Sequence, residues 1–306
     1  MDLQIFVRGV VHESFYNSRV RTPDGSFVDL PGFPYAAHYL EWRGLRTHYV
    51  DEGKGDRVYL CLHGEPTWCY LYRRMIPALV ASGGRVVAPD FVGFGRSDKP
   101  GDEAGYTFDF HRGFLLEFIE QKQLRNITLV VQDWGGLLGL TLPMEMPERF
   151  ERLLVMNTTL GTGDVALSEG FVAWRAYVRK NPDLGCGKLL ARTCPHLTAA
   201  EAAAYDAPFP DARSKAGVRR FPELVPERYD DPGAAISRKA RDWLSTSWKG
   251  ESFMAIGMKD PVLGEPVMRA LQRSIRNCRE PYLVAQGGHF LQEWGEEVTR
   301  WFLSKT

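Results

Sequence analysis

Short β-branched apolar runs alternate with segments of helical period along most of this chain. That alternation predicts a parallel-dominated sheet with helices packed against it. The clearest run, Ile127 to Val131 (ITLVV), has the look of a strand buried on both faces. It turns at Gln132-Asp133-Trp134-Gly135-Gly136 and resumes as an apolar stretch to Leu140 that reads as a buried helix. Arg57 to Leu62, Arg85 to Pro89 and Arg152 to Met156 are further strands, and His38 to Glu52 is a hairpin turning at Arg43-Gly44. Helices are predicted over Cys69 to Ser82, stopped by Gly83-Gly84, and over Phe108 to Gln121. The first thirty-odd residues are irregular, with turns at Pro23-Asp24-Gly25 and Pro31-Gly32. After Met156 the rhythm breaks. From Asn157 to Pro226 the pattern is helical and irregular, with Thr198 as the N-cap of an Ala-rich stretch. Alternation resumes with Ser252 to Gly257, a helix near Val267 to Ile275, a last strand at Tyr282 to Ala285 and an amphipathic helix from Phe290 to Ser304. The expected architecture is an α/β fold with a mostly parallel, eight-stranded sheet flanked by helices. Residues 1–156 and 227–306 form its core, and 157–226 are an inserted helical cap over the carboxyl edge of the strands.

Composition narrows the function. A chain of 306 residues, 44% hydrophobic and 25% charged, suits a large α/β domain with an insertion. The 38 basic and 38 acidic residues cancel and no basic run occurs, which argues against nucleic acid or an anionic membrane as partner. No apolar run reaches the ~18 residues of a membrane span. The opening MDLQIFVRGVVHESF makes a poor signal peptide, so the expected location is the cytoplasm. Cys61, Cys69, Cys186, Cys194 and Cys278 are dispersed without zinc spacing and read as buried or idle thiols, so no metal is expected. The sequence is silent on oligomeric state, and a monomer is the simplest expectation.

The chemistry gathers at strand ends. Asp133 stands where the central strand becomes a helix, at the edge where sites form in open α/β sheets. It reads either as a helix N-cap or as a reactive group on a sharp turn. The two glycines after Asp-Trp favour the turn, since side-chain-free positions let backbone crowd it, as in the nucleophile elbow G-x-S-x-G with Asp in place of Ser. Asp260 follows the strand SFMAIG, and His289 follows the last strand. Nucleophile, acid, histidine is the order of α/β-hydrolases. No G-x-S-x-G occurs, so a serine nucleophile is lacking. A carboxylate can attack an electrophilic sp3 carbon without first losing a proton, leaving an ester on the protein. Neutral His289, oriented by Asp260, can then activate the water that cleaves that ester. Backbone N–H groups of Trp134 and Glu65 are the natural oxyanion donors. The indoles of Trp134 and Trp174 are donors without acceptor character, suited to a departing halide, although Trp174 taken alone reads more readily as simple packing.

The segments Val131-Gln132-Asp133-Trp134-Gly135-Gly136, His63-Gly64-Glu65-Pro66-Thr67-Trp68, Gly257-Met258-Lys259-Asp260 and Gly288-His289-Phe290 together resemble the haloalkane dehalogenases of the α/β-hydrolase fold, over nearly the whole chain. The resemblance is to the subfamily whose acid follows the strand after the cap and whose halide site is a Trp pair. The other subfamily has Asn after His-Gly and an acid after the strand before the cap, where this chain has Glu65 and Asn157-Thr158. The resemblance implies Asp133 as nucleophile, His289 as base, Asp260 as its orienter, and Trp134 with Trp174 as halide donors. It also implies Glu65 beside the oxyanion and water site, and Phe171, Pro222, Val225 and Leu263 as apolar pocket lining. No cofactor is implied; the partners are a halogenated alkane and water, and the products alcohol, halide and a proton. Three rivals stand beside it. An epoxide hydrolase would recruit Tyr177 or Tyr205 to protonate the ring oxygen. A fluoroacetate-type dehalogenase would want arginines beside the nucleophile, where Trp134-Gly135-Gly136 supplies none. A non-catalytic binding protein of the same fold would keep the pocket.

Overall fold

The computed structural model describes residues 13–306. The residues before Glu13, on which most of the signal-peptide reading rests, lie outside the described ones. A short helix α1 (Glu13–Asn17) interrupts the stretch expected to be irregular. The hairpin follows as β1 (His38–Trp42) and β2 (Leu45–Glu52), then β3 (Val58–Leu62), α2 (Ile76–Ala81), β4 (Arg85–Pro89) and α3 (Phe108–Gln121). Next come β5 (Ile127–Gln132), α4 (Trp134–Gly139) and β6 (Phe150–Met156). Helices α5 (Glu169–Lys180), α6 (Cys186–Thr193), α7 (Ala199–Ala204) and α8 (Ala216–Leu224) come before α9 (Ala234–Thr246) and β7 (Glu251–Gly257). The chain closes with α10 (Glu265–Arg273), β8 (Tyr282–Val284) and α11 (Gly295–Leu303).

The eight strands form one sheet in the order β1-β2-β4-β3-β5-β6-β7-β8. Pairing is parallel from β4 to β8, while β2 meets both β1 and β4 antiparallel. Every residue of β3 and β5 is buried, as their unbroken apolar runs require of strands covered on both faces. The chain steps from β3 outward to β4 and then crosses back to place β5 on the other side of β3. That reversal opens a crevice between the carboxyl ends of β3 and β5.

Local structure departs from the expected pattern at three places. The helix expected over Cys69 to Ser82 splits into a 3-10 turn, Cys69–Arg74, and α2, because Pro77 lacks the N–H that a continuous helix would need. The last helix likewise opens with a 3-10 turn, Leu291–Trp294. Helix α9 was not anticipated: Ala234, Ser237, Ala240 and Leu244, mostly small or polar, are its buried residues, with Ile236 and Trp243 half-buried against the core beside them. Thr198 does cap α7, in a reciprocal box with Glu201. Helix α7 is also tied to the core. Arg73 makes a bidentate pair with Glu293 (2.7 and 2.8 Å), the Tyr205 hydroxyl donates to Glu293, and Glu201 accepts from Arg73 and Arg74. Cys61, Cys69, Cys186 and Cys194 are buried free thiols, and Cys278 is half-buried. Among the described residues no helix is long and apolar enough to cross a membrane.

Candidate active site

Asp133 occupies the crevice in a strained conformation, φ 49° and ψ −126°, that a non-glycine residue adopts only when its surroundings enforce it. The enforcement is close packing. A Cβ on Gly135 would collide with the Leu62 carbonyl, and one on Gly136 with the Thr158 side chain. Thr158 Oγ1 donates to the Asp133 carbonyl at 2.6 Å, and the Asp133 N–H donates to the Asn157 carbonyl at 3.0 Å. The side chain of Asp133 does not cap α4, so the N-cap reading falls. Its Oδ1 instead accepts the Glu65 N–H at 2.7 Å, across the crevice from the end of β3. Glu65 is thus one of the two expected backbone donors; among the described residues no matching bond from the Trp134 amide reaches the carboxylate.

His289 completes the approach from the loop after β8. Its Nε2 lies 3.5 Å from Asp133 Oδ2, and its Nδ1 donates to Asp260 Oδ2 at 2.9 Å. Burial alone would lower the His289 pKa, but the carboxylates of Asp260 and Asp133 overcome it and raise it to about 10. Burial likewise penalises the Asp260 carboxylate, yet the neighbouring His289 and the N–H groups of Val262 and Leu263 hold its pKa below the usual value.

Two further residues fix these groups, and sequence reasoning assigned them no role. Asn157, at the end of β6, donates Nδ2 to Asp260 Oδ2 at 2.9 Å while its Oδ1 accepts the Gly257 N–H at 2.8 Å. Gln132 Nε2 donates to the His289 carbonyl at 3.0 Å, linking β5 to the histidine loop. The only sequence signal for either was a polar amide at the end of an apolar strand.

Asp133, Glu65, Trp134 and His289 share a cavity of about 350 Å3 whose other walls come largely from α5 and α6, with Pro222 of α8 and Pro261, Val262 and Phe290 beside them. Trp174 lines it too, but its Nε1 donates to Glu65 Oε2 at 3.2 Å. Burial first, and then the Asp133 charge, push the Glu65 pKa well above the ordinary carboxylate value. Phe171 and Pro222 are in the wall, whereas Val225 and Leu263 are not. Val225 is buried in the core, and the Leu263 carbonyl accepts from Asn157 Nδ2 at 3.2 Å, so Val262 faces the cavity instead. Leu189 and Arg192 line it without having been anticipated there, and so does Tyr177, which the sequence brought to the site only for the epoxide reaction. Tyr205 is buried in its bond to Glu293 and lines no part of the cavity.

Residues 58–296 match the family model described as alpha/beta hydrolase fold. A haloalkane dehalogenase of Psychrobacter cryohalolentis is 44% identical over 92% of this chain and 95% of its own length. One of Mycobacterium marinum is 43% identical over 90% and 94%. Among solved structures, the tetrameric haloalkane dehalogenase DpaA of Paraglaciecola agarilytica superposes with a TM-score of 0.92 and 47% identity, covering 94% of this chain and 98% of its own. At this identity, over nearly the whole of each sequence, the chain belongs to the haloalkane dehalogenases of the alpha/beta hydrolase fold.

Proposed function

We propose that this enzyme hydrolyses haloalkanes to alcohol, halide and a proton through a covalent ester on Asp133, with residues 157–226 acting as the cap that closes the site. The observation that carries the reading is the paired fixing of one carboxylate: Oδ1 on the Glu65 N–H at 2.7 Å, Oδ2 3.5 Å from His289 Nε2. Asp133 Oδ2 attacks the carbon bearing the halogen, and the carbon–halogen pair of electrons leaves with the halide. Trp134 and Trp174 donate their indole N–H groups to it, which requires the Trp174 indole to exchange Glu65 for the halide. Esterification removes the negative charge of Asp133, one of the two that raise the His289 pKa, so the imidazole releases its proton more readily at the step where a base is needed. Neutral His289, its Nδ1–H held by Asp260, takes a proton from water, and the hydroxide adds to the ester carbonyl. The oxyanion forms on the oxygen bonded to the Glu65 N–H. Collapse expels the alcohol, regenerates the Asp133 carboxylate and leaves the proton for solvent.

Epoxide hydrolysis is less well supported, because Tyr205 is committed to Glu293 and Tyr177 alone of the two faces the cavity. The deciding experiment is halide release from the purified protein on brominated and chlorinated alkanes, with styrene oxide in parallel. Bromide release that disappears in Asp133→Ala supports the reading; diol from the epoxide without halide release moves the answer to an epoxide hydrolase. Silence across the panel from a folded protein would favour a non-catalytic binding role.

A further inference from the structure

The cavity leads outward from Asp133 to a cation. On α5 the rings of Trp174 and Tyr177 stack with centroids 5.9 Å apart, and the Arg192 guanidinium carbon on α6 lies 5.9 Å from the Tyr177 ring. All three residues line the cavity; Trp174 is half-buried, whereas Tyr177 and Arg192 are exposed. The wall they share is otherwise mostly apolar, with Phe171, Ala173, Leu189 and Val262, and the nearby Thr193 hydroxyl is turned to the Leu189 carbonyl at 3.0 Å. Of the arginines of α5 and α8, Arg175 pairs with Glu227, Arg179 with Glu223 and Arg219 with Glu103, while Arg220, whose buried Nε has no partner among the described residues, lines no part of the cavity. Among the described residues Arg192 makes no ion pair or hydrogen bond, so its five donors face the mouth of the cavity without a competing anion.

We infer that Arg192 makes this enzyme selective for haloalkanes with an anionic group at the end remote from the halogen, the ω-halocarboxylates. This rests on the reaction proposed above. The carbon–halogen bond sits at Asp133, the methylene chain lies along Phe171, Leu189 and Val262, and the carboxylate meets the guanidinium at the rim. Selectivity then depends on chain length, because a short haloacid cannot reach both ends. The arginine stands away from the nucleophile, unlike the arginines that α-haloacids would need, so bromoacetate gains nothing from it.

The test compares kcat/KM for 4-bromobutanoate, 6-bromohexanoate and 8-bromooctanoate with that for 1-bromohexane, read as the acid-to-alkane ratio. Arg192→Gln should lower the ratio for the longer acids about fivefold at low ionic strength, as an exposed ion pair allows, with the difference shrinking as salt is added. Arg192→Lys should keep part of the preference. Lys188→Gln, which removes an exposed cation one turn earlier on the same helix but outside the cavity, should keep all of it. Equal ratios in wild type and Arg192→Gln at every length, or an equal fall in Lys188→Gln, would overturn the inference while leaving the dehalogenase reaction intact. No bromide from any compound overturns the reaction and this selectivity together.

Discussion

Asp260 is the residue on which the two half-reactions should separate. Its carboxylate receives the His289 Nδ1–H, Asn157 Nδ2 and the Val262 N–H, so it is held in place as well as charged. Asparagine at this position keeps the shape but loses the charge that selects the useful imidazole tautomer. Attack by Asp133 needs no base, so Asp260→Asn should slow ester hydrolysis on the order of a thousandfold while alkylation continues. Mass spectrometry of enzyme quenched during turnover should then find the alkyl group on Asp133; steady-state turnover at the wild-type rate would rule Asp260 out as the orienter. Trp174 gives a complementary test. Trp174→Phe removes the indole donor that now rests on Glu65 and should slow carbon–halogen cleavage about tenfold, the scale of one hydrogen bond. An unchanged single-turnover cleavage rate would take Trp174 out of the halide site.

At the scale of elements, the inserted helices are attached to the sheet domain by buried charge as well as by apolar contact. Arg73 and Glu293 have almost no exposed side-chain surface, and Glu293 belongs to the 3-10 turn directly after the histidine loop. The network therefore couples the seating of α7 to the stretch of chain that carries His289. Glu293→Gln leaves the buried Arg73 with Glu201 alone as countercharge and should cost about 2–3 kcal/mol of stability in urea unfolding, below the full penalty of an unpaired buried charge. Replacing both partners together, as Arg73→Met with Glu293→Leu, should recover much of that loss. A single variant as stable as the wild type would mean that the pair contributes nothing to the seating of α7. The sequence showed Thr198 as a cap and an Ala-rich helix behind it, but nothing local in it announced the partners of Glu201 and Tyr205. Arg73 lies more than a hundred residues before them and Glu293 some ninety after.

For the whole molecule, the site carries a pH signature. The folded-state pKa of His289, about 10, lies above its ordinary value of 6.5. Its contribution to stability is therefore fully present below about pH 6.5 and is lost as the pH rises towards 10. Between those limits the urea midpoint of the wild type should fall relative to that of His289→Gln; parallel profiles would show that the imidazole is not held between two ionised carboxylates. What the sequence by itself determined was the order of the strands and of most helices, though not α1 or α9, and the strand-end positions of Asp133, Asp260 and His289. Those follow from short-range apolar periodicity and chain connectivity, because a residue next to the end of a buried parallel strand is carried to that edge of the sheet. Only the tertiary structure decided that Asn157 bonds Asp260, that Trp174 rests on Glu65, and that Phe171 and Pro222 face the cavity while Val225 and Leu263 do not. It also decided that Arg192, without an ion pair among the described residues, stands at the mouth. These depend on how helices without a strict apolar stripe rotate and pack against segments distant in the chain, which is a property of the assembled core and not of any local stretch.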